Sequence, residues 1–359
     1  MRTTATPQRL TLKVLAFLAG AFTFLIALNG GAIAPNVAGA QEFNFIQKIV
    51  NPRITIERNR SIRDAIRRQV GKQLAPAPSG GFADQTTGFT VSPAADEGST
   101  LGLSFWADGS YKDLRDRAAL RGYNGDQSSM STGVQGQITD QILIGGLFNF
   151  SDSKIRNIFT PATSHTDNYS LAGYMGATLT QNLVFDASFL YTFTDNRAFD
   201  ATTGVGAAYD GETWVVNGNL TGYWFLQSLR FSPNLGVSWS QTQDQSYIDS
   251  SGTFFGRERT DVGTLTFGTT LAYTITLEDG RSLEPYVSAE GEWEFTEKIS
   301  PPIATGLPED RREVDARIEG GVEITLSDGM SLTLRAEAGG LARKRYRTLG
   351  GGGRVSVSF

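Results

Sequence analysis

From about residue 100 to the C-terminus, apolar and polar positions alternate in segments of roughly 9–15 residues, the period expected of strands whose two faces meet different surroundings. In 229–239, Leu229, Phe231, Leu235, Val237 and Trp239 fall on one face, opposed by Arg230, Ser232, Asn234 and Ser238. In 313–326, Val314, Ala316, Ile318, Val322, Ile324 and Leu326 oppose Asp315, Arg317, Glu319, Glu323 and Thr325. Twelve such segments are predicted, near 100–107, 130–139, 141–152, 167–179, 182–194, 212–226, 229–242, 261–276, 281–297, 313–326, 330–341 and 347–359. Connections after the even-numbered segments are tight, as at Thr139-Asp140, Thr180-Gln181 and Gln227-Ser228. Those after odd-numbered segments are expected to be long and polar. Short turns at one end and long loops at the other predict an all-β fold, a transmembrane antiparallel up-and-down β-barrel of about 12 strands.

A soluble β-sandwich also alternates, but its strands average five or six residues and its apolar faces meet in one core. Here one face carries Glu and Arg along its length, which suits a wet or networked lumen. Trp106, Tyr191, Phe193, Trp214, Trp224, Trp239, Trp293 and Phe295 sit toward segment ends and are expected in interfacial girdles.

The chain before residue 99 has a different character. Arg2, Arg9 and Lys13 precede an apolar stretch from Val14 to Leu28, and Ala38-Gly39-Ala40 supplies a small-residue cleavage site, so 1–40 reads as a secretory signal peptide. Residues 57–74 read as a basic helix carrying Arg58, Arg60, Arg63, Arg67 and Arg68, with Ile62, Ile66 and Val70 on one stripe. A flexible linker rich in Pro, Gly and small polar residues follows. The expected organisation is thus 1–40 signal, 41–98 helix and linker, and 99–359 barrel.

Composition narrows the chemistry. With no Cys and one His among 359 residues, disulfide scaffolds, zinc fingers, iron–sulfur sites and thiol nucleophiles are excluded, and no cofactor or metal site is expected. Removing the three signal cations leaves 29 basic against 37 acidic residues, a poor balance for binding nucleic acid.

The last residues, Val355-Ser356-Val357-Ser358-Phe359, alternate and end on an aromatic. This resembles the terminal strand that Gram-negative outer-membrane proteins present to the barrel-assembly machinery, with Val355, Val357 and Phe359 as the signal. Together with Gly-bearing hairpins at Ser131-Thr132-Gly133-Val134-Gln135-Gly136, Gly145-Gly146 and Ala172-Gly173-Tyr174, the stretch from Thr100 to Phe359 resembles the C-terminal translocator domain of type V autotransporters. The resemblance implies twelve strands with a helix through the pore, in the outer membrane. It also implies lipid, the assembly machinery and periplasmic chaperones as partners, and a monomer. Members carry passengers of hundreds of residues, whereas here about 60 residues separate Gln41 from the first strand.

Glu284, Glu290, Glu292, Glu294, Asp315, Glu319, Glu323 and Glu337 fall on the expected lumen face, with Arg317 and Arg335 among them. Crowded carboxylates repel, so a cation should compensate. Three arrangements answer this: a cation-preferring pore, the basic helix inside the barrel with its arginines on these acids, or solvated acids with the helix outside. His165 and Asp167, in the connection after strand 3, could activate a water as an omptin-type protease does. A solvated loop histidine is the preferred account, since the matching acids of an omptin site are not identified on another wall, and no catalytic residue is assigned. The expected function is a non-enzymatic surface anchor or pore of the translocator type without a sizeable passenger. The alternatives are a general porin or an omptin-like barrel hydrolase.

Overall fold

The computed structural model describes residues 51–76, 102–117, 122–278, 281–300, 314–327 and 329–358. The expected signal peptide, most of the linker and Phe359 lie outside the described residues. Helix α1 (Asn51–Leu74) precedes twelve long strands. These are β1 (Leu103–Asp116), β2 (Tyr123–Thr139), β3 (Ile142–Asn157), β4 (Ala162–Thr180), β5 (Leu183–Asp200) and β6 (Val205–Gly222), then β7 (Leu229–Asp244), β8 (Glu258–Tyr273), β9 (Ser282–Ser300), β10 (Val314–Ser327), β11 (Met330–Gly339) and β12 (Tyr346–Ser358). Short pieces at Trp224–Leu226 and Ile275–Thr276 extend the turn end, and Tyr247–Ile248 pairs with Phe254–Phe255 in a separate hairpin.

Each strand is antiparallel to the next, and β12 pairs with β1 from Ser104↔Ser358 to Asp116↔Tyr346, which closes the cylinder. Closure gives every strand two neighbours, the condition for placing a sheet in hydrocarbon without orphaned backbone groups.

The strands of the first half run further at the loop end than their hydropathy predicts. β1 and β2 stay paired up to Asp116↔Tyr123, β3 and β4 up to Arg156↔Thr163, and β5 and β6 up to Asp200↔Val205. Much of what reads as long polar loop is therefore ladder. Above the bilayer both faces of the wall are wet, so polar side chains fill both and the alternation that marks a strand disappears.

Outward positions such as Leu171, Phe189, Val216, Leu235, Val237 and Leu334 are exposed, as a lipid-facing surface requires. Aromatics bound this band. Trp224 and Phe231 lie 6.3 Å apart at the turn end, and Phe150–Tyr169, Tyr191–Phe193 and Trp293–Phe295 pair at 4.9–6.2 Å toward the loop end. From Phe231 to Trp239, about eight residues of tilted strand at ~3.3 Å each give an apolar band about 20 Å tall. Trp106 departs from the expected girdle: it is fully buried on the lumen side, donates from Nε1 to the Tyr174 hydroxyl at 3.1 Å, and lies under the Arg354 guanidinium.

Candidate functional site

Twelve strands spaced ~4.8 Å and tilted ~40° enclose a backbone circle about 24 Å across. Inward side chains take several ångströms all round, so a helix about 10–12 Å in diameter fills most of the remainder. α1 occupies that space. Its 24 residues make about 36 Å of helix, enough to run the length of the lumen. Pro52 is tolerated because the first turn has no intrahelical acceptor for its missing N–H. Ile54 packs with Leu114, Tyr123, Ile155, Ala162 and Tyr346 at the loop end. At the other extreme, Thr178 Oγ1 donates to the Leu74 carbonyl at 3.5 Å near the turn end. The helix thus enters from the loop end and leaves at the turn end, beside the start of β1.

One face of α1 is apolar. Ile62, Ala65, Ile66, Val70 and Leu74 form a single buried cluster with Leu143, Leu147, Tyr174, Val184, Leu190 and Val215 from β3 to β6, together with Trp106. Two glycines set the approach. An added Cβ at Gly176, on the lumen face of β4, would run into Val70 and Leu74, and one at Gly71 would run into the Tyr223 hydroxyl.

The opposite face is charged and meets β9 to β11. Arg60 reaches Glu292 at 2.5 Å and Asp315 at 3.7 Å, and Arg63 lies 3.6 Å from Glu292. Arg67 pairs with Glu290 at 2.5 Å, and Arg68 with Glu319 at 2.8 Å. Arg53 and Lys72, absent from the sequence reading, extend the series to Glu294 at 3.0 Å and Glu323 at 2.5 Å. The wall also supplies cations. Arg317 bridges Glu290 and Asp64 of α1, Lys112 joins Glu337 to Glu57, Arg343 reaches Glu294, and Arg230 takes Glu284. Arg335 turns away from these acids to Asp108, at 2.7 Å, where Arg354 also binds.

Arg58 is the exception among the five arginines. It is buried, donates to Asn168 and Asn59, and no carboxylate pairs with it among the described residues. Among the described residues, a side cavity of about 150 Å³ remains at the turn end, reached by Arg67, Lys72, Arg230, Glu284 and Glu323. Val355 and Val357 alternate with inward Arg354 and Ser356 in β12, and Val357 faces Phe105 and Met330 across its neighbours.

His165 lies within β4, not in a loop, and on the outer face of the wall in line with Tyr169 and Leu171. Its ring hydrogen-bonds Asp152 of β3, and Asp167 is 3.4 Å away. The site stands beyond the apolar band, and the hydrogen bond to Asp152 raises the imidazole pKa above its ordinary value against the effect of partial burial.

A closed barrel with a lipid-facing band and a charged helix through its lumen defines an outer-membrane β-barrel of the helix-plugged class. The model of the autotransporter β-domain family matches residues 105–337, and the chain belongs to that family. Its barrel therefore resides in the outer membrane, in contact with membrane lipid, and is of the translocator type. The fold is similar to the translocator domain of the autotransporter NalP from Neisseria meningitidis, with 12% identity over 71% of this chain and 88% of that one, at a TM-score of 0.62. It is also similar to the β domain of the Bordetella autotransporter Brka, with 18% identity over 72% and 100%, at 0.60. The transport unit of AIDA-I from Escherichia coli aligns with 12% identity over 73% and 92%, at 0.52. No curated protein matches by sequence.

Proposed function

We propose that this barrel is a surface anchor that holds its own N-terminal segment outside the cell, with α1 as a resident plug rather than a gate of an open porin. The direction of α1 carries this reading. Its N-terminal Ile54 lies at the loop end and its C-terminal Leu74 at the turn end. Short turns face the periplasm in outer-membrane barrels, so chain preceding Asn51 emerges at the cell surface. In this reading residues 1–40 are a signal peptide, the segment from Gln41 to Val50 is what the anchor displays, and Val355, Val357 and Phe359 address the chain to the barrel-assembly machinery. The protein acts as a monomer without catalysis and without nucleic acid. The ion pairs from Arg53 down to Lys72 span the lumen's length, which argues against free conduction.

The test places a single cysteine at Asn44 and another at Gln181, in the β4–β5 turn, and exposes intact cells to a membrane-impermeant maleimide. Labelling of Asn44→Cys and protection of Gln181→Cys is the expected result. Protection of both, or labelling of Gln181→Cys alone, overturns the orientation. In planar bilayers, deleting 41–74 should raise single-channel conductance several-fold, and equal conductance with and without the segment would exclude the plug.

A further inference from the structure

We infer that Asp152, His165 and Asp167 form a binding site for a divalent transition-metal ion on the outer wall of the barrel, just beyond the aromatic girdle. One carboxylate oxygen from each aspartate and one imidazole nitrogen all lie within 4.8 Å of one another. Rigid paired strands supply them: Asp152 and Asp167 are directly opposite across β3 and β4, and His165 is two residues along β4 on the same face. Small rotations about the side-chain torsions bring three such atoms onto one ion.

A second observation is independent of the clustering. Asp167 is only 8% exposed, yet its Oδ1, the oxygen turned toward His165, makes no hydrogen bond. A buried carboxylate oxygen left this way is costly unless a cation faces it. The protein's own cations answer poorly: His165 Nε2 stands 3.4 Å from this oxygen, but its hydrogen bond goes to Asp152. Arg197 is 3.9 Å from Asp167 and Lys154 is 3.5 Å from Asp152, both on side chains that are 59% exposed. The register adds to the demand, since Asp195 stands opposite Asp167, and Asp210 opposite Asp195. Like charges directly opposite destabilise a ladder.

The donor set selects the ion. Two carboxylates and an imidazole suit Zn²⁺ or Mn²⁺, while Mg²⁺ and Ca²⁺ prefer oxygen alone. Three protein ligands leave at least one position for water, on the side facing out from the wall. The single histidine, weighed at the level of sequence as a catalytic base, becomes a ligand in this account. Nothing in it depends on the plug.

The full-length protein, refolded in detergent and freed of metal with chelator, is titrated with ZnCl₂ by calorimetry, and with CoCl₂ as a spectroscopic probe. One Zn²⁺ per chain is expected, together with visible Co²⁺ absorption that Zn²⁺ abolishes. His165→Ala and Asp167→Asn should each weaken Zn²⁺ binding at least tenfold, while Asp261→Asn on β8, whose partner is the exposed Arg259, leaves it unchanged. Heat-modifiable migration checks that each variant is folded. Because Asp167→Asn keeps the shape of the side chain, it tests the site even if His165→Ala folds poorly. Absence of stoichiometric binding, unaltered affinity in both site variants, or displacement of Co²⁺ by Mg²⁺ at equal concentration would overturn the assignment.

Discussion

Arg58 and Arg60 are two residues apart and lie in opposite electrostatic settings. At about 100° per residue, their side chains leave α1 about 160° from one another. Arg60 therefore meets Glu292 and Asp315 while Arg58 meets Asn168 on β4. That separation was available from the helical wheel alone. The composition of the helix and the acidity of strands 9–11 were equally legible, but which wall each arginine faces required the rotation of α1. Removing one partner of a buried pair leaves the other uncompensated, at a cost of about 3–5 kcal/mol, whereas replacing a buried charge that has no counter-ion costs little. Glu292→Gln takes away the carboxylate shared by Arg60 and Arg63 but leaves Arg60 with Glu57 and Asp315 and Arg63 with Asp64, so it should lower the temperature at which folded and unfolded forms interconvert on gels by less than the full cost of a stranded charge. Arg58→Met should leave that temperature unchanged or raise it. The reverse order would contradict the pairing.

At the scale of elements, strand identity and order were readable because lipid on one side and a polar lumen on the other impose period two. The same reasoning fails where the environment is symmetric. Asp113 and Arg115 project outward and Lys112 inward on a stretch of β1 with water on both sides, so no pattern marks it. Trp106 was misplaced for a related reason: an aromatic near a strand end is ambiguous between girdle and lumen until its parity is fixed against its neighbours. Packing of α1 on β4 gives a test at this scale. Gly176→Leu inserts bulk where an added Cβ already meets Val70 and Leu74, an overpacking expected to cost about 1–3 kcal/mol. Gly173 is on the same strand but has open space around it, so Gly173→Leu should be neutral. Intermittent opening of the pore in single-channel records is expected for Gly176→Leu, and quiet traces in both variants would show that the helix accommodates the change.

For the whole molecule, closure depends on a seam between the first and last strands, and Val357 sits in it between Phe105 and Met330. A charge near the interface costs about 1 kcal/mol or less in lipid transfer. Val357→Asp should therefore barely alter the stability of refolded protein, yet reduce its amount in the outer membrane several-fold if this strand addresses the assembly machinery. Wild-type amounts in cells would remove that role from Val357.

α1 also bears on the order of events. Its apolar face is bound to β3–β6 and its charged face to β9–β11, so both halves of the wall grip one rod carrying nine charged side chains. Sliding that rod through a finished cylinder would break the ion pairs together and drag unpaired charges past Leu143, Leu147 and Val215. The seam must then shut around a chain already in place, and the occupied lumen is a record of when closure happened. A peptide spanning 41–74, added to barrels that closed without it, should leave them conducting.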